Sequence, residues 1–278
     1  MDNVLRALVY DDAVSLTLAD VTQMAHEGKC LHQLSLDAAR LFGKTLAAMT
    51  FMSACLKNEK GEISLAVKSD GTAGDIAVSG NHALRLRGYI YPAQATGSEN
   101  QLLGSGALTI IRDDGYNLPF VGSCALKEGN IDSSFEEYFR ISEQLPTHLQ
   151  TAVEFDENGA LTFAGVAVLQ PLPFADPEIL QSAENYPLQD LLATLRKEGL
   201  TQTVNEHFPN AQSIHLRRAC YKCNCSREYV QRVLVSLGKA QTQEVIKEEG
   251  SVKIHCHYCN TDYEFTQEDA DRIFQDAK

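Results

Sequence analysis

The chain has 278 residues, 44% hydrophobic and 22% charged, with a formal net charge of −13 and no tryptophan. This is ordinary globular composition, long enough for one large domain and a small one, and it excludes a disordered or fibrous protein. A uniformly acidic surface repels phosphate backbones and anionic lipid, so neither nucleic acid nor a membrane is an expected partner. The opening residues Met1-Asp-Asn-Val-Leu-Arg6 put an acid where a secretory leader needs basic residues, and no run reaches about eighteen apolar residues. The expected compartment is the cytoplasm. Reducing buffers there keep cysteines as thiols, so clustered pairs point first to metal ligands or redox sensors.

Residues 1–170 predict an α+β core, a mixed α/β-sheet domain. Val4–Leu18 alternates loosely and reads as strands around an Asp11-Asp12 turn. Ser35–Leu56 has apolar residues at helical spacing, with Ser35 as N-cap and Asp37 in the first turn. Short strand-like runs follow at Ile63–Val67, Ile76–Val78, Leu84–Ile90, Ala107–Ile111, Phe120–Leu126, Gln150–Phe155 and Leu161–Val168. They show no regular βαβ alternation.

Composition changes at Pro171-Leu-Pro173. Residues 171–219 read as a helical linker, with one stripe of Leu188, Leu191, Leu192 and Leu195 and a weaker one of Val204 and Phe208. Such short, lightly apolar helices are marginal alone and must dock to stay folded. Residues 220–278 form the third unit. Ser226 caps a helix ending at Gly238, Ala240–Glu249 makes a second, Val252–His255 and Thr261–Phe265 form a hairpin, and Thr266 caps a last helix facing inward through Ala270, Ile273 and Phe274. So thin a core needs a staple.

Five of the eight cysteines lie in this third unit. Cys223-x-Cys225 and Cys256-x-x-Cys259 offer four sulfurs, a set suited to a closed tetrahedral Zn²⁺ shell. The Cys-x-Cys spacing is unusual for a purely structural site. A bound zinc would hold its ligands as thiolates, the form that oxidants attack. Each pair is close enough in sequence for a local disulfide, which would eject the metal. Cys220 stands as a spare thiol, an alternate ligand or a resolving partner. His255 and His257 are further possible donors but read first as solvated loop residues, Cys55 and Cys124 read as core residues, and Cys30 is left open. Gly43-Lys-Thr45 lacks the preceding glycine of a P-loop, since that position is Ala38. Gly104-Ser-Gly106 reads as a strand bulge. Nothing gathers Glu143 and His148 into a catalytic set, and no enzyme activity is expected.

Taken together, Cys223-Asn-Cys-Ser-Arg227, Leu237-Gly-Lys239, Cys256-His-Tyr-Cys259, Tyr263-x-Phe265, Ser69-Asp-Gly71, Leu86-Arg-Gly-Tyr89 and Tyr138-Phe-Arg-Ile-Ser-Glu-Gln-Leu-Pro-Thr147 resemble the signatures of the bacterial redox-regulated heat-shock chaperones of thirty-three kilodaltons. The resemblance spans nearly the whole chain. It implies an ATP-independent cytoplasmic holdase that binds unfolding clients under oxidative and heat stress. It further implies zinc ligands Cys223, Cys225, Cys256 and Cys259, redox disulfides Cys223–Cys225 and Cys256–Cys259 with zinc release, and a homodimer when oxidised. Cys220 departs from that pattern. The competing reading is a zinc-ribbon nucleic-acid binder, motivated by six Lys/Arg against one acid between Arg217 and Lys239. A thiol oxidoreductase built on Cys256-x-x-Cys259 would need a thioredoxin-like βαβ context, which the sequence lacks.

Overall fold

The structure, a computed structural model, describes residues 2–127, 129–173 and 175–276. Its contacts divide it into two compact units, Met1–Lys222 and Cys223–Lys278. The residues read as a linker therefore fall inside the first unit, together with Cys220.

The first unit opens with the hairpin β1 (Asn3–Val9) and β2 (Val14–Asp20). Tyr10, Asp11 and Asp12 take left-handed backbone angles at its turn, where the acidic pair was expected to reverse the chain. Helices α1 (Thr22–His32) and α2 (Leu36–Ala54) follow. Ser35 Oγ accepts the Ala38 N–H at 3.1 Å, and Asp37 lies in the first turn of α2. From Leu41 onward α2 is buried on nearly every side. A helix apolar all round belongs between two layers, and Gly43 and Thr45 are part of that interior, not of a phosphate loop.

The two layers are sheets. One runs in the order β10-β1-β2-β9-β8, with β8 (His148–Phe155), β9 (Leu161–Pro171) and β10 (Gln212–Arg218). The other runs β11-β5-β4-β3-β6-β7, with β3 (Glu62–Ser69), β4 (Asp75–Asn81), β5 (Arg85–Tyr91), β6 (Gly106–Asp113), β7 (Phe120–Ala125) and β11 (Cys220–Tyr221). A short helix α3 (Glu99–Leu103) precedes β6. Helix α4 (Ile131–Tyr138) and a π-helical turn (Phe139–Glu143) link β7 to β8. Gly104 ends α3 at φ 53 and Gly106 opens β6 in unbroken register with β3. The glycine pair thus marks a helix end rather than a bulge.

Strands β2 and β9 are buried on both faces, which explains their near-continuous apolar runs. Ala164, Val166 and Val168 of β9 point into a core shared with α1, α2 and the second sheet. Phe163, Ala167 and Leu169 point the other way, with Leu16 and Leu18 of β2 and Leu5 of β1. That second face is covered by α5 (Pro177–Glu184), α6 (Leu188–Glu198) and α7 (Leu200–His207). Leu188, Leu191, Leu192, Leu195, Val204 and Phe208 supply the covering side chains. Tyr10 and Tyr186 close the rim, each with ring contacts to Phe208. The helical stripe read from sequence is thus the lid of a second core.

Asp2 anchors the start of the chain. Its carboxylate accepts the Gln23 and Met24 N–H groups, both at 2.8 Å, and supplies the cap that α1 lacks at Val21. Its carbonyl accepts the Ala219 N–H at 3.0 Å. Burial raises the Asp2 carboxyl to about 6, opposed by those two N–H bonds and reinforced by repulsion from Asp20. The folded chain therefore keeps a proton that the unfolded chain releases between about pH 4 and pH 6. This contribution is full below that window and is lost as pH rises through about 6. In denaturant titrations, the stability difference between wild type and Asp2→Ala is expected to shrink across that interval. A difference independent of pH would refute the assignment.

The second unit consists of α8 (Arg227–Leu237), α9 (Lys239–Glu249), the hairpin β12 (Val252–Cys256) and β13 (Thr261–Phe265), and α10 (Gln267–Asp276). Ser226 Oγ accepts the Tyr229 N–H, Gly250 ends α9 in the left-handed conformation, and Thr266 Oγ1 accepts the Asp269 N–H. Its core is Val230, Leu234, Ile246, Val252, Phe265 and Ala270, with Ile273 alongside.

Candidate metal centre

Two loops carry the sulfurs of the second unit. The Ser226 cap fixes where α8 starts, so Cys223 and Cys225 sit in the segment just before its N-terminus. The β12–β13 register ends at the Cys256–Thr261 pair. Beyond it the Cys259 and Asn260 N–H groups fold back to the Cys256 carbonyl, and Asn260 takes a left-handed φ of 55. This knuckle turns Cys256 and Cys259 to one side.

The four ligand-competent sulfur atoms of Cys223, Cys225, Cys256 and Cys259 all lie within 4.8 Å of one another. Cys223 and Cys256 are 3.8 Å apart and Cys225 and Cys259 are 3.1 Å apart. A tetrahedral ion with metal–sulfur bonds of about 2.3 Å needs sulfurs about 3.8 Å from each other. The cluster fits that need, and all four cysteines are half-buried, so they could hold a metal ion.

The chemistry of the donor set agrees. Burial pushes the Cys225 and Cys256 thiols up, and hydrogen bonding with Cys259 raises both further. Burial also opposes ionisation of Cys259, but hydrogen bonding with Thr261 and the other three thiols brings it down to about 7. Four thiolates this close require a cation between them. Tyr263 Oη lies 3.1 Å from Cys225 Sγ, and that hydrogen bond raises the phenol well above its usual range. Thr261 Oγ1 lies 3.3 Å from Cys259 Sγ. These two flanking groups escaped the reading of the cysteines, although both lie on the partner strand of the hairpin that carries Cys256.

The other expected residues are elsewhere. Cys220 belongs to the first unit, where β11 pairs in parallel with Arg85 and Leu86 of β5 and its thiol is exposed. His255 bonds Asp262 through Nδ1 at 2.7 Å, and its ring meets that of His257 edge-on, both side chains being exposed. Cys55 caps the end of α2, and burial raises its thiol; burial lifts Cys124, in β7, to about 11. Cys30 is exposed on α1, 3.8 Å from the His26 ring nitrogens. Glu143 pairs with Arg112 and Tyr138, while His148 bonds Glu136 and the Tyr186 carbonyl, so the two serve separate structural networks. Among the described residues, no helix is long and apolar enough to cross a membrane.

An α+β domain of two sheets around a central helix, followed by a compact unit gathered on four thiols, defines a two-unit protein with a metal-competent cysteine module. The family model described as "Hsp33 protein" matches residues 2–266. The chain is 31% identical to a 33 kDa chaperonin of Clostridium botulinum, over 99% of this chain and 98% of that protein. It is 31% identical to a 33 kDa chaperonin of Acetivibrio thermocellus, over 98% and 96% of the two chains. The crystal structure of the 33 kDa chaperonin of Thermotoga maritima superposes with a TM-score of 0.84 at 23% identity, covering 99% of this chain and 98% of that one, which shows a shared fold. This chain belongs to the Hsp33 family, a family of chaperones rather than enzymes.

Proposed function

We propose that this chain is a redox-regulated, ATP-independent holdase of the cytoplasm, which keeps unfolding proteins from aggregating under oxidative and heat stress. The observation that carries the reading is the grouping of four sulfurs in a separate unit whose buried apolar core, among the described residues, is six side chains. Cys223, Cys225, Cys256 and Cys259 would hold a zinc ion, which when bound keeps sulfur as thiolate and staples the module.

An oxidant of the peroxide class would convert each thiol pair to a disulfide. In each pair two thiolates would give up two electrons and join in one S–S bond, while the peroxide O–O bond would break and, taking two protons from solvent, leave as water. Sulfurs paired as Cys223–Cys225 and Cys256–Cys259 no longer hold a metal. The module then loses its staple, and helices α5–α7, the switchable linker within residues 171–219, loosen from the sheet they cover. The apolar face bounded by Leu5, Leu16, Leu18, Phe163 and Leu169 would receive clients, and the oxidised chain would dimerise. The basic stretch does not favour nucleic acid: Arg227 is engaged by Asp269 and the Glu264 carbonyl, and Arg232 stacks on Tyr229.

Peptide mapping after peroxide treatment at raised temperature is expected to give the two local disulfides, together with suppression of client aggregation. Cys220→Ser is expected to leave both unchanged, along with the metal content. Disulfides that involve Cys220, or equal suppression by the fully reduced protein, would overturn the reading.

A further inference from the structure

Sheet edges leave unpaired N–H and C=O groups that recruit other strands unless they are blunted. Among the described residues, three of the four sheet edges in the first unit are blunted. On β8 the Leu149 and Thr151 N–H groups are taken by Glu136 and Asp132, and the Val153 carbonyl by Arg40. β10 carries His215, Arg217 and Arg218. β11 is two residues long.

β7 has none of these devices. No charged residue occurs from Gly115 to Leu126. The Leu126 N–H donates to the Gly106 carbonyl at 2.9 Å, which fixes the phase of the β6–β7 ladder. Phe120, Gly122 and Cys124 thus bond inward to β6, and the N–H and C=O groups of Val121, Ser123 and Ala125 point to the open side. Among the described residues those groups have no partner. The adjoining surface is apolar: Val121 is 59% exposed opposite Ile111, and Leu118 at the hairpin tip is 94% exposed.

We propose that β7 is an open seat for an extended segment of an unfolding polypeptide, added as a further strand of the six-stranded sheet. The proposal rests on the chaperone reading and locates one place where clients bind. Main-chain pairing is independent of the occupant's sequence, which suits a binder of many clients, and alternate apolar side chains of the occupant would lie beside Val121 on the same face of the sheet. A second copy of this chain is the weaker occupant. Six residues extend about 20 Å, too little for the roughly 1,000 Å² that a stable interface buries.

The test uses the full-length, metal-loaded protein and a labelled, uncharged seven-residue peptide of alternating valine and threonine, blocked at both ends. Binding is expected to slow amide exchange at Val121, Ser123 and Ala125 in both the reduced and the peroxide-treated protein. Ser123→Pro removes one outward N–H and no main-chain bond of the β6–β7 ladder, together with the Ser123 Oγ contacts to Thr109 Oγ1 and the Leu108 carbonyl, and Val121→Lys places a charge on the edge with those contacts kept. Each is expected to weaken peptide binding about tenfold or more, at unchanged metal content and thiol oxidation. Protection at other amides, or unaltered affinity in both variants, overturns the proposal; so does concentration-dependent dimerisation through β7 without peptide. Peptide protection at β7 in a protein whose aggregation suppression ignores thiol state would leave this seat standing and sink the redox switch instead. The exchange pattern of the wild type decides the matter even where a variant does not fold.

Discussion

Replacing Cys256 by serine is expected to abolish metal retention and to unfold Cys223–Lys278 while leaving the first unit folded. The unit has 56 residues (278 − 222) and buries Val230, Leu234, Ile246, Val252, Phe265 and Ala270, one of which is only an alanine. A core that small does not offset the conformational entropy of ordering the chain. Structural zinc contributes about 10–16 kcal/mol in small zinc peptides, enough to decide whether such a unit folds. Metal analysis and amide exchange of the full-length variant should show loss of the ion and near-complete loss of protection in α8–α10, with α2 protected as before. A chelator applied to the wild type should do the same. A module that keeps its protection without metal would show that the four sulfurs are no staple.

The second large effect is expected at the lid. Leu191 is fully buried between α6 and the sheet face lined by Leu16, Leu18 and Phe163. Leu191→Ala should cost about 2–5 kcal/mol through lost burial and the cavity left behind. The cost falls on short helices held chiefly by that contact, so local opening of α5–α7 should precede global unfolding. Faster amide exchange in α6 should appear together with suppression of client aggregation by the reduced, metal-loaded protein. Exchange that rises without any gain in suppression would separate the lid from client binding.

Much of this fold is legible in the sequence where local signals and burial agree. The α2 helix carries its own cap and an apolar pattern too dense for a surface helix. The alternating strands β3, β4 and β6 each bury one face, so their period of two survives in the residues. The cysteine module declares itself because ligand pairs and helix caps are local patterns. What the sequence conceals is tertiary. Strand β10 is exposed along most of its length and is held by pairing with β1, so Ile214 and Leu216 give no burial signal. Helix α1 buries only Met24, Ala25 and Gly28 and takes its cap from Asp2, twenty residues earlier, so neither stripe nor cap stands out locally. The π-helical turn at Phe139–Glu143 arises from packing of Phe139 on Phe51 and from the Tyr138–Glu143–Arg112 network. At the candidate metal centre the cysteines were legible and Tyr263 stood out only as part of a motif; its contact with Cys225 was not legible, because it depends on how the hairpin packs against the segment before α8.

One time course brings the switch to a decision: metal release and client light scattering recorded in the same cuvette after peroxide addition at raised temperature. About one zinc per chain should leave, the stoichiometry of a closed four-sulfur site, and scattering should be suppressed on the same timescale, with both reversed by a dithiol reductant and added zinc. Suppression that begins while the metal is still bound and the thiols remain reduced would contradict the switch.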